Sequence, residues 1–280
     1  MQELRVDAVF GMEAPQLDLT ESGWIARVLQ AERRTRHDLE LAKQAQARLF
    51  PRRLPVLETL TYAGVSIPAA QVGGDYFDFL DLGQNRLGML VSDVAGKGLA
   101  AGLLMASLQA SIRSQYASYN FNTANAGERL LRAVNRVFYE SSAPESYASL
   151  FFAEYDDTTS RLRYVNCGHP GPLIIHSDST VTHLESTSTV LGLFEDLDCS
   201  SAEVQLRPGD TLLLYTDGIT EALSEDGTEF GHERLSRLVH KKGHLPVSGL
   251  LQEIVANVEN FTQEQSDDMT LVAAHCKDLH

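Results

Sequence analysis

The rhythm of apolar and polar positions changes at about residue 57. Upstream, Ile25, Val28, Leu39, Ala42 and Leu49 recur at three- and four-residue spacing around the charged run AERRTRHD. That period predicts one long helix over 23–49, with Ser22 able to cap it and Pro51 stopping it. Glu32, Thr35 and Gln46 fall at intervening seam positions, where a coiled coil wants apolar side chains. Two readings stay open for this helix: a dimerising, signal-transmitting linker, or a helix packed on its own domain. Residues 1–22 show no sustained period and read as a flexible N-terminal segment.

From Leu57 onward the pattern becomes short apolar runs between turn signals. TLTYAGVSIPA, RLGMLVSDV, ASLFFAEYD, RLRYVNCG, GPLIIHS, AEVQLRPGD, TLLLYTDG and MTLVAAHC are strand candidates. Several are separated by only a few turn residues, which predicts antiparallel hairpins. Two pairs of helices interrupt them. GLAAGLLMASLQASIRSQYAS aligns Ala101, Met105, Leu108, Ile112 and Tyr116 on one stripe, and GERLLRAVNRVFYESS follows. HERLSRLVHKK and VSGLLQEIVANVENFTQ form the second pair. The predicted fold class is α+β, two packed antiparallel β-sheets flanked by helices. The predicted organisation is 1–22 flexible, 23–56 linker helix and 57–280 one catalytic domain.

Charge narrows the choice of partner. The chain has 23 Lys+Arg against 38 Asp+Glu, a formal net charge of −15. Nucleic acid is a poor partner for such a surface, because that binding depends on Lys and Arg neutralising phosphates. The three cysteines, Cys167, Cys199 and Cys276, are widely spaced, which argues for a reducing cytoplasm over a disulfide framework. Cys167 has Leu173 where a cysteine phosphatase loop needs arginine. The first twenty residues hold no apolar signal core, and the uncharged stretch from Gly98 to Ile112 is too short to span a bilayer. The expectation is a soluble, cytoplasmic protein with no membrane partner.

Four acidic stations carry the candidate chemistry: Asp75 in VGGDYFDF, Asp93 in LVSDVAGKG, Asp217 in LLLYTDGIT and Asp267-Asp268 in SDDMTLVAA. Any one of them reads as a turn residue. Together they share the context of a strand end. Two carboxylates ~5 Å apart at an effective dielectric of ~20 repel by roughly 3 kcal/mol, so a gathered cluster needs protons or cations. No Lys or Arg follows the same strand-end pattern. Oxygen-only donors select hard ions, Mg²⁺ or Mn²⁺, over zinc. Two such ions suit phosphomonoester hydrolysis. Gly73-Gly74 before Asp75, and Gly96 and Gly98 after Asp93, allow close backbone approach and open a helix.

Other chemistries fit less well. AGKG lacks both the upstream Gly and the following Ser/Thr of a P-loop, so Lys97 reads as a solvated turn residue, at most a phosphate neighbour. No G-x-S-x-G elbow is present. His169 in NCGHPGPL reads as a structural turn histidine, a general acid being the alternative.

The ordered motifs LAKQAQARLFPRRLP, PAAQVGGDYFDF, VSDVAGKGLAAGLLMA, YVNCGHPGPL, PGDTLLLYTDGITEA, DGTEFGHERL and DDMTLV resemble the PPM (protein phosphatase 2C-like) Ser/Thr phosphatases, in their bacterial SpoIIE/RsbU branch. The resemblance implies an αββα sandwich, two Mn²⁺ or Mg²⁺ ions, and a water activated by them attacking phosphoserine or phosphothreonine. It implies metal-site roles for Asp75, Asp93, Asp217 and Asp267, with Asp93 and Asp217 central to catalysis. It adds the main-chain carbonyl of Val94 as a ligand and leaves Asp268 open. The implied substrate is a phosphorylated STAS-domain anti-anti-sigma factor in a partner-switching pathway, with a possible homodimer through the N-terminal helix. Val94 stands where the eukaryotic D-G-H signature has glycine, so that signature's general acid is absent. The rival readings are a non-catalytic signalling scaffold of the same fold and a small-molecule phosphohydrolase.

Overall fold

The computed structural model describes residues 21–278, apart from 122 and 124. The reading of 1–22 as flexible therefore lies outside the described residues, save its last two. Those two belong to helix α1 (Glu21–Gln46), so Ser22 sits inside the helix and does not cap it. Serine costs a helix interior only a fraction of a kcal/mol. At the other end the helix stops three residues before Leu49. Arg48 N–H and Leu49 N–H bond back to the carbonyls of Ala45 and Gln46, the tighter pattern that closes a final turn. The chain falls into two units that divide between Leu41 and Ala42. In the first, α1 leaves Trp24, Ile25, Val28 and Leu29 exposed.

The second unit is built on ten strands. β1 (Leu60–Ile67), β2 (Tyr76–Gly83) and β3 (Arg86–Val94) precede the helices α2 (Gly98–Tyr116) and α3 (Ala126–Ser141). β4 (Ala148–Asp156), β5 (Arg161–Cys167), β6 (Leu173–Ile175), β7 (Val181–His183), β8 (Ala202–Gln205) and β9 (Thr211–Tyr215) follow. The one-turn α4 (Asp217–Thr220), then α5 (Gly231–Lys242), α6 (Val247–Phe261) and β10 (Met269–Cys276) complete it. The strands form two five-stranded antiparallel sheets, ordered β1-β10-β9-β6-β7 and β2-β3-β4-β5-β8.

Alternation along the strands sorts the side chains into three layers. Phe77, Phe79, Met89, Val91 and Phe151 meet Ile174, Leu212, Leu214 and Val272 between the sheets. Tyr76, Leu80 and Leu90 face outward onto Met105, Leu108 and Ile112 of α2 and Leu130, Val134 and Phe138 of α3. Leu213, Tyr215 and Leu271 face α5 and α6 through Leu235, Val239, Leu250 and Ile254. Central strands are thus buried on both faces, which is why β9 reads TLLLY with no polar alternation. Truncating one such leucine to alanine costs about 2–5 kcal/mol. The predicted αββα class is the observed one.

Two strands lack the expected signal. β7 is three exposed residues. β2 reads YFDFLDLG, and its acids hide a buried strand. Asp78 is fully buried, held by the Arg113 guanidinium through Nε at 2.6 Å and Nη2 at 2.5 Å, and by the Tyr76 hydroxyl. A bidentate arginine from α2 compensates the burial of that charge, and fixes α2 on the sheet.

Register then puts the acidic stations at one end of the sandwich. Tyr76 opposes Ser92, so the start of β2 lies beside the end of β3. Leu271 opposes Tyr215, so the start of β10 lies beside the end of β9. Each sheet contributes one strand start and one strand end. No helix among the described residues is long and apolar enough to cross a membrane.

Candidate active site

Asp75 precedes β2 and is 4% exposed. The Thr216 hydroxyl donates to its Oδ2 at 2.7 Å. Asp93 is the penultimate residue of β3, opposite Ser149 of β4. Asp217 opens α4 directly after β9, and Asp267 lies two residues before β10. Their mutual influence is electrostatic. Burial, followed by the carboxylates of Asp217, Asp267 and Asp268, pushes the Asp93 carboxyl up to about 7. Burial and the neighbouring Asp93 hold Asp75 well above the usual carboxylate range, against hydrogen bonds from Thr270 and Thr216. Burial and Asp267 raise Asp217 as well. Two buried carboxyls that interact this strongly share protons as a pair unless a cation joins them.

The glycines shape the cradle. A Cβ on Gly74 would lie 2.7 Å from the Val94 carbonyl oxygen and 3.5 Å from Asp93 Oδ1. Glycine at this position is what lets the β2 approach close over Val94. A Cβ on Gly73 would collide with the Asp268 carboxylate.

Asp268 has a different task from Asp267. Its Oδ2 accepts the N–H of Gly74 at 2.7 Å and, more weakly, that of Asp75 at 3.4 Å; its Oδ1 accepts the N–H of Ala69 at 2.8 Å. It clamps the loop that carries Asp75. The opposite side of that loop is held by Gln46 at the end of α1. Its amide donates to the Gly73 carbonyl at 2.8 Å and accepts the Gly73 N–H at 3.1 Å.

Lys97, expected in solvent, is exposed and yet paired: Nζ lies 2.7 Å from Asp267 Oδ2. The hydrogen bond that its ammonium donates to Asp267 holds it above lysine's ordinary range. His169 is a structural residue. Its Nε2 lies 3.1 Å from the Tyr215 carbonyl, which can only accept, so Nε2 carries the proton and Nδ1 accepts from the Ser149 hydroxyl at 2.7 Å. Burial pushes its pKa down to about 3, which leaves it neutral at physiological pH and unsuited to act as a general acid. It ties β4, opposite Asp93, to the end of β9, just before Asp217.

These residues fit a hard divalent ion of a particular kind. Among the described residues, no three His, Cys, Asp or Glu side chains close on one point as a finished cage. An all-oxygen set with a carbonyl and dispersed carboxylates suits an ion of the Mg²⁺ type, which keeps several waters and binds through one or two carboxylates. The mutual repulsion at Asp75 and Asp93 is what such a charge relieves.

The family model described as Stage II sporulation protein E (SpoIIE) matches residues 83–277. The chain belongs to the SpoIIE family. Phosphoserine phosphatase RsbU of Bacillus subtilis (strain 168) is 28% identical over 246 residues, covering 86% of this chain and 70% of RsbU. Phosphoserine phosphatase RsbP of the same organism is 25% identical over 246 residues, covering 87% of this chain and 59% of RsbP. The RsbU and RsbW domains of Rv1364c from Mycobacterium tuberculosis superpose with a TM-score of 0.68 at 28% identity, over 80% of this chain and 62% of that one. The SiaA-PP2C domain of Pseudomonas aeruginosa superposes at 0.75 with 20% identity, over 89% and 99%, and shares the fold. The catalytic domain of the phosphatase PstP, in complex with two manganese ions, superposes at 0.60 with 16% identity, over 79% and 99%.

In this SpoIIE-family chain, the structure brings Asp75, Asp93, Val94, Asp217 and Asp267 to one end of the sandwich. Sequence reasoning missed Thr216, which sits on Asp75, and Gln46, which brackets Gly73. Thr216 had a usable signal in its place beside Asp217. Gln46 had none, because it was read as a seam residue.

Proposed function

We propose that this chain is a Mn²⁺- or Mg²⁺-dependent phosphatase that removes phosphate from phosphoserine or phosphothreonine of a STAS-domain protein in a partner-switching pathway. The observation that carries the proposal is the gathering of Asp75, Asp93, Asp217 and Asp267 from four distant segments, with Asp93 pushed up to about 7 by burial and the other acids. A protein without a bound cation has no reason to bear that repulsion.

Asp75, Asp93, Asp217, Asp267 and the Val94 carbonyl would hold two ions. When bound, such ions neutralise phosphoryl oxygens and lower the pKa of water. The chain's own contribution is placement. Thr216 orients the Asp75 carboxylate, Asp268 and Gln46 fix the loop before it, and His169 links Ser149 to Tyr215 behind Asp93 and Asp217. Neutral and buried, His169 does not serve as general acid. The relatives named phosphoserine phosphatase support the substrate class. The exposed Trp24, Ile25, Val28 and Leu29 support a homodimer through α1. Three unpaired, buried cysteines support a cytoplasmic setting.

The test offers the chain a phosphorylated STAS-domain protein with Mn²⁺, in competition with a free nucleotide. Selective, Mn²⁺-dependent release of phosphate from the protein is expected. Preference for the nucleotide would favour a small-molecule phosphohydrolase. Tight binding without turnover would favour a scaffold.

A further inference from the structure

Lys97 is the residue just before α2, in a turn where Gly96 and Gly98 have φ of +104° and +66°. That turn leads directly from Asp93 and Val94, so the lysine cannot wander far from the acids. Its Nζ lies 2.7 Å from Asp267 Oδ2 and donates to the Ser266 carbonyl at 2.9 Å. Asp267 is also one of the carboxylates assigned above to the metal ions. One oxygen thus has two claimants, an ammonium from its own chain and a divalent ion.

We infer that Lys97 is a built-in counter-ion of Asp267 that competes with the divalent ion and sets the metal affinity of the site. The inference rests on the metal reading proposed above. The lysine side chain is 64% exposed and that of Asp267 42%. An exposed pair of this kind is weak and easily displaced. The device therefore tunes affinity and does not block the site. In the metal-free chain the ammonium relieves part of the repulsion around Asp267 and Asp217. A bound ion takes over that role and frees Lys97 within the cavity of about 420 Å³ that it already lines together with Glu264, Asp267 and Asp268. Arriving cations also meet a positive charge at this edge, which works in the same direction.

The test is calorimetric titration of Mn²⁺ into the full metal-stripped chain and into its Lys97→Met variant, which keeps the aliphatic stem. Both should fold alike, because the side chain lies at the surface. The variant is expected to bind Mn²⁺ about three- to fivefold more tightly, the scale of one exposed ion pair. Lys97→Arg, which keeps the charge, is expected to stay near wild-type affinity. Equal or weaker Mn²⁺ binding by Lys97→Met overturns the inference and leaves the metal reading standing. Failure of the wild-type chain to bind Mn²⁺ overturns both.

Discussion

Asp267 and Asp268 are adjacent acids with opposite tasks, and alanine at each position should separate them. Asp268 accepts the buried Gly74 N–H at 2.7 Å and the more accessible Ala69 N–H at 2.8 Å. Removing the carboxylate leaves the Gly74 N–H unsatisfied, at about 1–3 kcal/mol, and forfeits about 1 kcal/mol at Ala69. The side chain of Asp267 is 42% exposed and pairs with an exposed lysine, a contact worth about 0–1 kcal/mol. Asp267 Oδ1 also accepts the Asp268 N–H at 2.9 Å, worth about 1 kcal/mol. Both variants relieve repulsion in the acidic cluster, so Asp268→Ala should be less stable than Asp267→Ala by about 1–2 kcal/mol. For a unit of this size, that is roughly 2–8 °C in Tm. The assay is thermal unfolding in EDTA, so that metal loss does not confuse the comparison. Equal melting temperatures, or a lower one for Asp267→Ala, would refute the division of labour.

Three further outcomes follow from the same geometry. In EDTA, the folded Asp93 carboxyl holds its proton up to about 7, against 3.8 ordinarily, so the folded chain binds more protons than the unfolded chain across that window. The contribution of Asp93 to stability is then fully present below about pH 4 and is lost as pH rises through about 7, a loss that Mn²⁺ should remove in melts at pH 5 and pH 8. Gln46→Ala loses both hydrogen bonds to Gly73, and should cost about 1–2 kcal/mol in denaturant melts while weakening Mn²⁺ binding through the Asp75 loop. His169→Phe orphans the Ser149 hydroxyl and the Tyr215 carbonyl, and should destabilise by about 2–4 kcal/mol; its residual activity should keep the wild-type pH profile, and loss of an alkaline limb would restore the general-acid role.

Much of this was legible because the chemistry is written at strand ends. TLLLYTDG and RLGMLVSDV each show an apolar run stopping at an acid, and both place that acid at the site. β2 was not legible, since Asp78 breaks its apolar pattern and its partner Arg113 lies 35 residues away in α2. The partners of Lys97 and Gln46 were not legible for a related reason. Each acts through a contact distant in sequence, with Asp267 and Gly73, and spacing along the chain carries no trace of it. The cap of α1 failed differently: Ser22 is a good cap by type, but the helix already includes Glu21 before it.

The central claim is that carboxylates from both sheets hold ions that turnover requires. Phosphate release from a phosphorylated STAS-domain protein, measured at saturating Mn²⁺ for the wild-type chain and for Asp93→Ala and Asp217→Ala, tests it most directly. Release that falls to background in both variants, with folding intact by circular dichroism, is the predicted result. Wild-type turnover by either variant would contradict the account.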